Sequence, residues 1–155
     1  MRKIDQLLEQ YGACHQNPIN KLIHWVCVPL IMLSLTGMIL QIPFPMDLPG
    51  LNWAVLIFAI ALIYYLRLSP VLFAGFVLIT AILILAADWI SNQAVVFAIS
   101  PLVIFISIFT ISWIGQFYGH HIEGKKPSFL QDLQFLLIGP AWLLHFIYKK
   151  FGIRY

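Results

Sequence analysis

Four long apolar blocks, separated by short polar or Pro- and Gly-containing breaks, dominate the pattern along this chain. The blocks cover residues 19–42, 51–66, 71–89 and 94–113, and the second is the shortest. Each is close to the roughly 20 apolar residues that a helix needs to cross the hydrocarbon core of a bilayer. The pattern therefore predicts an all-α integral membrane helical bundle with about four transmembrane helices, in which residues 1–155 form a single membrane domain.

The breaks carry residues that start and stop helices. Asn17 and Pro18 precede the first block and predict a helix that Asn17 caps and that has Pro18 in its first turn. Pro29 predicts a kink inside that helix. Residues 43–50, 67–70 and 91–93 predict the turns between successive helices.

A fifth apolar stretch covers residues 133–148, and Gly139 and Pro140 interrupt it. It is shorter than the length a bilayer core demands, so a crossing is not predicted. We interpret it as a C-terminal interfacial or re-entrant helical segment that lies near the lipid headgroups.

Composition supports the membrane interpretation. Hydrophobic residues make up 61% of the chain and charged residues only 10%, against about 45–50% and about 25% in soluble domains. The net charge of +3 could suggest a nucleic-acid partner. The basic residues adjoin apolar blocks, however, where the preference of Lys and Arg for the cytoplasmic side explains them. No nucleic-acid partner is therefore expected.

The basic residues also predict the orientation in the membrane. With four crossings and the N-terminus inside, all nine Lys and Arg residues fall on the inner face, and the outer face carries only Asp47 and Asp88. The nine are Arg2, Lys3, Lys21, Arg67, Lys125, Lys126, Lys149, Lys150 and Arg154. This pattern predicts that both termini are cytoplasmic, in the inner membrane of a bacterium or the endoplasmic reticulum membrane of a eukaryote.

Five histidines from distant segments fall on the predicted cytoplasmic side, namely His15, His24, His120, His121 and His145. His24 lies inside an apolar helix and needs a polar partner there, and Asn20 occupies the same helical face four residues earlier. His120 and Glu123 share a face in the same way if that stretch is helical. Imidazole is the commonest metal-binding side chain, and three or four converging histidines suit iron or zinc.

Each of these placements also has a plainer interpretation, which the residues alone leave open. Polar side chains avoid the bilayer centre, so histidines collect at interfaces without binding anything. Lys125 and Lys126 either bind a carboxylate or lipid phosphate or form a solvated pair that sets the topology. Tyr11 is either a hydrogen-bond donor behind the site or a surface tyrosine.

Two short motifs frame the four predicted helices. The first, H-x4-N-x3-H, contains His15, Asn20 and His24 and stands at the start of the first helix. The second, G-H-x2-E-x3-P, contains His120 and Glu123 and follows the fourth helix. In this order and setting, the motifs make the whole chain resemble the small, membrane-bound 2-hydroxy fatty acid dioxygenase family.

The resemblance implies a dioxygenase of fatty acid α-oxidation, dependent on Fe(2+) and O2, that acts on long-chain 2-hydroxy fatty acids. Such an enzyme releases C1 and gives a fatty acid one carbon shorter. The residues that the resemblance and the placement above offer are His15, His24, His120 and His121 as metal ligands, Asn20 and Glu123 as catalytic residues, and Tyr11, Lys125 and Lys126 as weaker candidates for substrate contact. His145 lies outside both motifs.

The implied reaction balances without an added electron donor. RCH(OH)COOH and O2 give RCOOH, CO2 and H2O, so the substrate supplies all the electrons that O2 takes up. No separate reductase is therefore expected. Iron held by histidines would be chelated by the substrate hydroxyl and carboxylate, and the acyl chain would lie along the apolar helices.

Two rival interpretations stand beside this one. A membrane di-iron fatty acid hydroxylase carries more histidine motifs than this chain has. A non-enzymatic membrane carrier or assembly protein would bind no metal, and it would be favoured if His15, His24 and His120 lay far apart.

Overall fold

The computed structural model describes residues 2–46, 50–124 and 129–155, and for residues 129–135 it describes the backbone only. Every element of regular secondary structure in this part of the chain is an α-helix, which confirms the predicted all-α class. Its elements are α1 (Lys3–Ala13), α2 (Pro18–Leu40), α3 (Trp53–Leu68), α4 (Pro70–Val96), α5 (Pro101–Glu123) and α6 (Phe129–Lys150).

Three helices are long and apolar enough to cross a membrane, judged by length and composition. They are α2, α4 and α5, with mean hydropathies of 2.0, 2.6 and 1.7 over their most apolar windows. Helix α3 is equally apolar in character but has only 16 residues. The predicted number of four crossings is therefore not confirmed, and three are supported. The outer faces of these helices are apolar, with Leu85 and Ile111 each 69% exposed, as a lipid environment requires.

Several helix starts follow from local capping. Asn17 Oδ1 accepts a hydrogen bond from the Ile19 amide at 2.9 Å, with Pro18 in the first turn of α2 as predicted. Ser69 ends α3 and its hydroxyl accepts from the amide of Leu72 at the start of α4, which confirms the break at residues 67–70. Each cap supplies an acceptor to an amide that has no partner inside its own helix.

The predicted turn at residues 91–93 is wrong, because α4 continues to Val96 and the turn follows it. Two of the three polar side chains there hydrogen-bond within the helix. Ser91 Oγ donates to the Ala87 carbonyl at 2.9 Å, and Asn92 donates to Asp88 at 3.1 Å. Polar side chains that hydrogen-bond to groups of their own helix do not have to end that helix. The next helix begins at Pro101 instead of residue 94.

The C-terminal segment is helical, as predicted, but of its two predicted forms the re-entrant one is not found in the described backbone. Helix α6 begins earlier and is continuous through Gly139 and Pro140, so the described backbone contains no re-entrant turn. Helix α1, which the apolar pattern did not predict, packs against α6. The apolar residues Ile4 and Leu7 of α1 are buried in the same core cluster as Ile138 of α6.

Helix α2 is the centre of the bundle and packs most extensively against α5, and also against α3, α4 and α6. Two glycines allow α2 and α5 to approach closely. A Cβ at Gly37 of α2 would collide with the ring of Phe105, and one at Gly119 of α5 would collide with the side chain of Asn20. Because these contacts pair the end of one helix with the start of the other, α2 and α5 are antiparallel. Their two histidines, His24 and His120, therefore lie at the same end.

Candidate metal centre

Three imidazoles from three segments meet at one end of the bundle. His15 follows α1, His24 lies in α2 and His120 lies in α5, and their ligand nitrogens all lie within 4.8 Å of one another. The ring centroids of His15 and His24 are 4.4 Å apart, and that of His120 is 5.3 and 5.1 Å from them. A large separation of these histidines would have favoured a non-enzymatic protein, and the structure shows that they lie close together.

The hydrogen bonds of the first two rings define their tautomers. Nδ1 of His15 lies 2.7 Å from the Tyr11 carbonyl oxygen, and Nδ1 of His24 lies 2.9 Å from that of Asn20. A carbonyl oxygen only accepts, so each Nδ1 carries the proton and donates it. A neutral ring protonated at Nδ1 presents a lone pair at Nε2.

The two Nε2 atoms face each other at 3.0 Å. Two lone pairs at this distance repel each other unless a cation lies between or beside them. Metal–imidazole bonds of about 2.1 Å place two ligand nitrogens at right angles about 3 Å apart. A backbone carbonyl that accepts from the other ring nitrogen is also the usual partner of a metal-binding histidine. The donor set therefore fits one metal ion held by His15, His24 and His120.

Packing around His15 fixes the position of its ring and favours its neutral form. The Tyr11 ring stacks on it with centroids 4.1 Å apart and an interplanar angle of 11°. The indole of Trp142, from α6, lies 5.5 Å away. Burial lowers the pKa of His15 below its ordinary value, although its hydrogen bond to the Tyr11 carbonyl acts in the other direction. The ring is therefore neutral near pH 7, which metal binding requires.

Glu123 ties the end of α5 to the start of α2. Its two carboxylate oxygens accept from the backbone amides of Gln16 and Asn17, at 2.7 and 2.9 Å, and from the side-chain amide of Asn20 at 3.0 Å. The first two amides directly follow His15 in the chain. Glu123, which the resemblance offered as a catalytic residue, therefore binds the amides at the N-terminal end of α2 as a cap would, and Asn20 serves as its partner.

The remaining predicted residues lie elsewhere. His121 is exposed, and the structure does not bring its ring into the cluster of three. His145 lies on α6 and contacts Tyr155. Lys125 and Lys126 lie outside the described residues.

A cavity of about 830 Å³ extends from the three histidines into the bundle. Such a volume is typical of ligand sites, which span about 300–1,000 Å³. Its lining is mainly apolar, with residues from all six helices, and reaches Ile39 of α2 and Ala54 of α3.

Gln116 is a residue of this cavity that the motif analysis did not select. It lies one turn before His120 on α5, lines the cavity and is 5% exposed. Its Oε1 has no hydrogen-bond partner within the part of the chain that the structure describes. The signal in the sequence was a lone amide inside an apolar helix, four residues from a histidine and hence on the same face.

The fold and site together define an all-helical protein with membrane-length helices and a candidate metal centre at the mouth of an apolar cavity. The chain belongs to the Mpo1-like family, because the profile described as 2-hydroxy-palmitic acid dioxygenase Mpo1-like matches residues 1–151. It is 30% identical over 146 residues to the 2-hydroxy-palmitic acid dioxygenase MPO1 of Saccharomyces cerevisiae, covering 90% of this chain and 76% of that protein. These matches confirm the family that the two motifs indicated. No solved structure matches the chain.

Proposed function

We propose that this protein is an Fe(II)- and O2-dependent dioxygenase that shortens long-chain 2-hydroxy fatty acids by one carbon and releases C1. The observation that carries the proposal is the pair of lone pairs that His15 and His24 direct at each other. They lie beside His120 at the mouth of an apolar cavity. The name of the yeast relative describes a dioxygenase of 2-hydroxy-palmitic acid, which supports the substrate class.

In this proposal His15, His24 and His120 hold the metal and His121 does not. Bound iron would supply redox chemistry and a charge that attracts the hydroxyl and carboxylate of the substrate. Three protein ligands leave further coordination positions open. Within the described residues one cluster of three histidines is present, which is fewer ligands than two irons require and disfavours the di-iron hydroxylase.

The chain's own residues bind and orient the substrate. Gln116 Oε1 offers a buried acceptor on the same face as His120, suited to a donor such as a hydroxyl group. Tyr11 and Trp142 cover the histidines and keep bulk water away. Glu123 and Asn20 hold the segment that carries His15 against α5. Lys125 and Lys126 remain candidates for contact with the substrate carboxylate.

The reaction test needs only purified protein, Fe(II), O2 and 2-hydroxypalmitic acid, with no reductase. We expect a fatty acid one carbon shorter and CO2, in equal amounts, because the substrate supplies every electron that O2 accepts. Palmitic acid is the matched control, since it fits the same cavity but lacks the hydroxyl that chelates the metal. Mass spectrometry of the acids provides the measurement. An iron-loaded protein that forms no shortened acid would contradict the assignment and favour a non-enzymatic role.

We also propose that the bundle lies in a membrane with both termini cytoplasmic. The two ends of the chain lie close together, which supports a location on the same side of the membrane. Helix α1 packs on α6, and the Arg2 guanidinium donates to the Tyr155 carbonyl. Reporter domains fused to each terminus are expected to give cytoplasmic signals at both, since all Lys and Arg residues then lie inside. This orientation counts α3 as a fourth crossing beside α2, α4 and α5, and a periplasmic or lumenal signal at either end would contradict it.

A further inference from the structure

The lining of the cavity ends, opposite the histidines, at small and medium side chains. Ile39 of α2 and Ala54 of α3 are the lining residues furthest along their helices from the histidine cluster. Ala54 is 1% exposed, so little free space lies beyond it. Beyond Trp113, α5 no longer lines the cavity, and Phe105 packs against Gly37 of α2.

The depth of the cavity follows from helix geometry. Between His24 and Ile39, α2 advances about 22 Å at 1.5 Å per residue. An extended acyl chain advances about 1.25 Å per carbon, the projection of a C–C bond of about 1.5 Å on the zigzag axis. The cavity therefore accommodates about 16–18 carbons in an extended conformation.

The polar groups of the cavity define which end of the ligand lies where. The histidines and Gln116 lie at one end. Toward the other end, Thr36 donates its hydroxyl to the Met32 carbonyl of its own helix at 2.7 Å, so that donor is already used. A 2-hydroxy acid consequently lies with its polar head at the histidines and its methyl end toward Ala54.

We propose that Ala54 and Ile39 set the upper limit of acyl chain length, at about 16–18 carbons. This inference rests on the proposed function for the identity of the ligand, and the acyl chain occupies the cavity whether or not the head group reacts. Chains shorter than the limit leave cavity unfilled and lose affinity for each missing methylene. Chains longer than the limit meet a closed end and gain nothing from the added carbons.

The test is Ala54→Phe in the full-length protein, reconstituted in lipid nanodiscs. A phenyl ring adds roughly 4 Å beyond Cβ, which takes the room of about three carbons. The ring would leave room for about 13–15 carbons, so palmitic acid loses one to three buried methylenes. At about fourfold in affinity for each, it should bind about 4- to 60-fold more weakly. Lauric acid, which ends short of the ring, should bind as it does to the unchanged protein. Equilibrium dialysis with labelled lauric, palmitic and arachidic acids measures this without requiring turnover.

Ala59→Phe is the matched control, because Ala59 lies on the same helix, is exposed and does not line the cavity. Ile39→Ala tests the opposite direction and should raise the affinity for arachidic acid. Ala54→Leu is a smaller obstruction, for use if Ala54→Phe no longer binds lauric acid. An unchanged length profile in Ala54→Leu and Ile39→Ala, or an equal shift in Ala59→Phe, would overturn the proposal.

Turnover of the 2-hydroxy homologues separates this inference from the proposed function. If the unchanged protein shortens 2-hydroxypalmitic acid but the Ala54 variants keep its length preference, the limit is wrong and the proposed function stands. If no protein shortens any acid but binding shifts as expected, the limit stands and the proposed function is wrong.

Discussion

The His24→Ala and His120→Ala variants are expected to lose bound iron and to shorten 2-hydroxy acids at least about 100-fold more slowly. Replacing groups that merely support a metal ligand costs about 10–100-fold, and removing a ligand itself should cost more. His24 contributes one of the two facing Nε2 atoms, so its loss would leave only His15 and His120 to hold the metal. Iron content by mass spectrometry and initial rates are the two measurements.

His121→Ala is the control for this experiment. His121 adjoins His120 but is exposed, so its replacement should leave the iron content unchanged. Circular dichroism should show equal helix content in all three variants, because each change puts a good helix former inside a helix. Full iron content in His24→Ala and His120→Ala would mean that the metal lies elsewhere. Iron loss in His121→Ala would restore the four-histidine ligand set.

Glu123→Ala is expected to weaken iron binding about 10–100-fold and to lower the free energy of unfolding by about 1–3 kcal/mol. The change removes the acceptor of three hydrogen bonds and leaves the amides of Gln16 and Asn17 without it. Those amides follow His15 directly, so the ring that stacks on Tyr11 loses its support from α5. Iron titration and thermal unfolding of the same sample report the two effects together.

Glu123→Gln distinguishes capping from chemistry. Both oxygens of Glu123 accept hydrogen bonds, whereas a glutamine in their place would direct two donor hydrogens at an amide. We therefore expect iron affinity and the free energy of unfolding to fall together in Glu123→Gln. Both should lie between the values of the unchanged protein and those of Glu123→Ala. A Glu123→Gln protein with unchanged stability and iron content but no turnover would instead assign the carboxylate a direct role in the reaction.

The helical class and the common end of the histidines could be predicted from the sequence, for simple reasons. Apolar blocks of membrane length form helices because no other open structure satisfies the backbone in lipid. Successive helices then run in opposite directions, so residues just before one helix and just after another return to the same end. His15, His24 and His120 follow this rule, and the motif spacing that contains them identified the family.

Other features depended on contacts that the apolar pattern does not contain. The polar sequence at residues 91–93 suggested a turn, but Ser91 and Asn92 find partners within α4. Helix α1 carries an amphipathic spacing in Ile4, Leu7, Leu8 and Tyr11, but it is too short to stand out among apolar blocks of membrane length. That spacing does not say which element covers its apolar face, and in the fold α6 does so. In both cases the partner that decides the structure is chosen by hydrogen bonding or packing rather than by the apolar pattern.

The choice between His120 and His121 shows most clearly what the sequence could not decide and the tertiary structure did. Adjacent residues on an α-helix point about 100° apart, because a turn contains 3.6 residues. Only one of the two can face α2, and the sequence places both at the same end of the bundle without choosing between them. The close approach of α2 and α5 at Gly119 sets the rotation of α5 that turns His120 toward His15 and His24. The sequence by itself determined which residues could meet, and the packing of α2 against α5 decided which of them do.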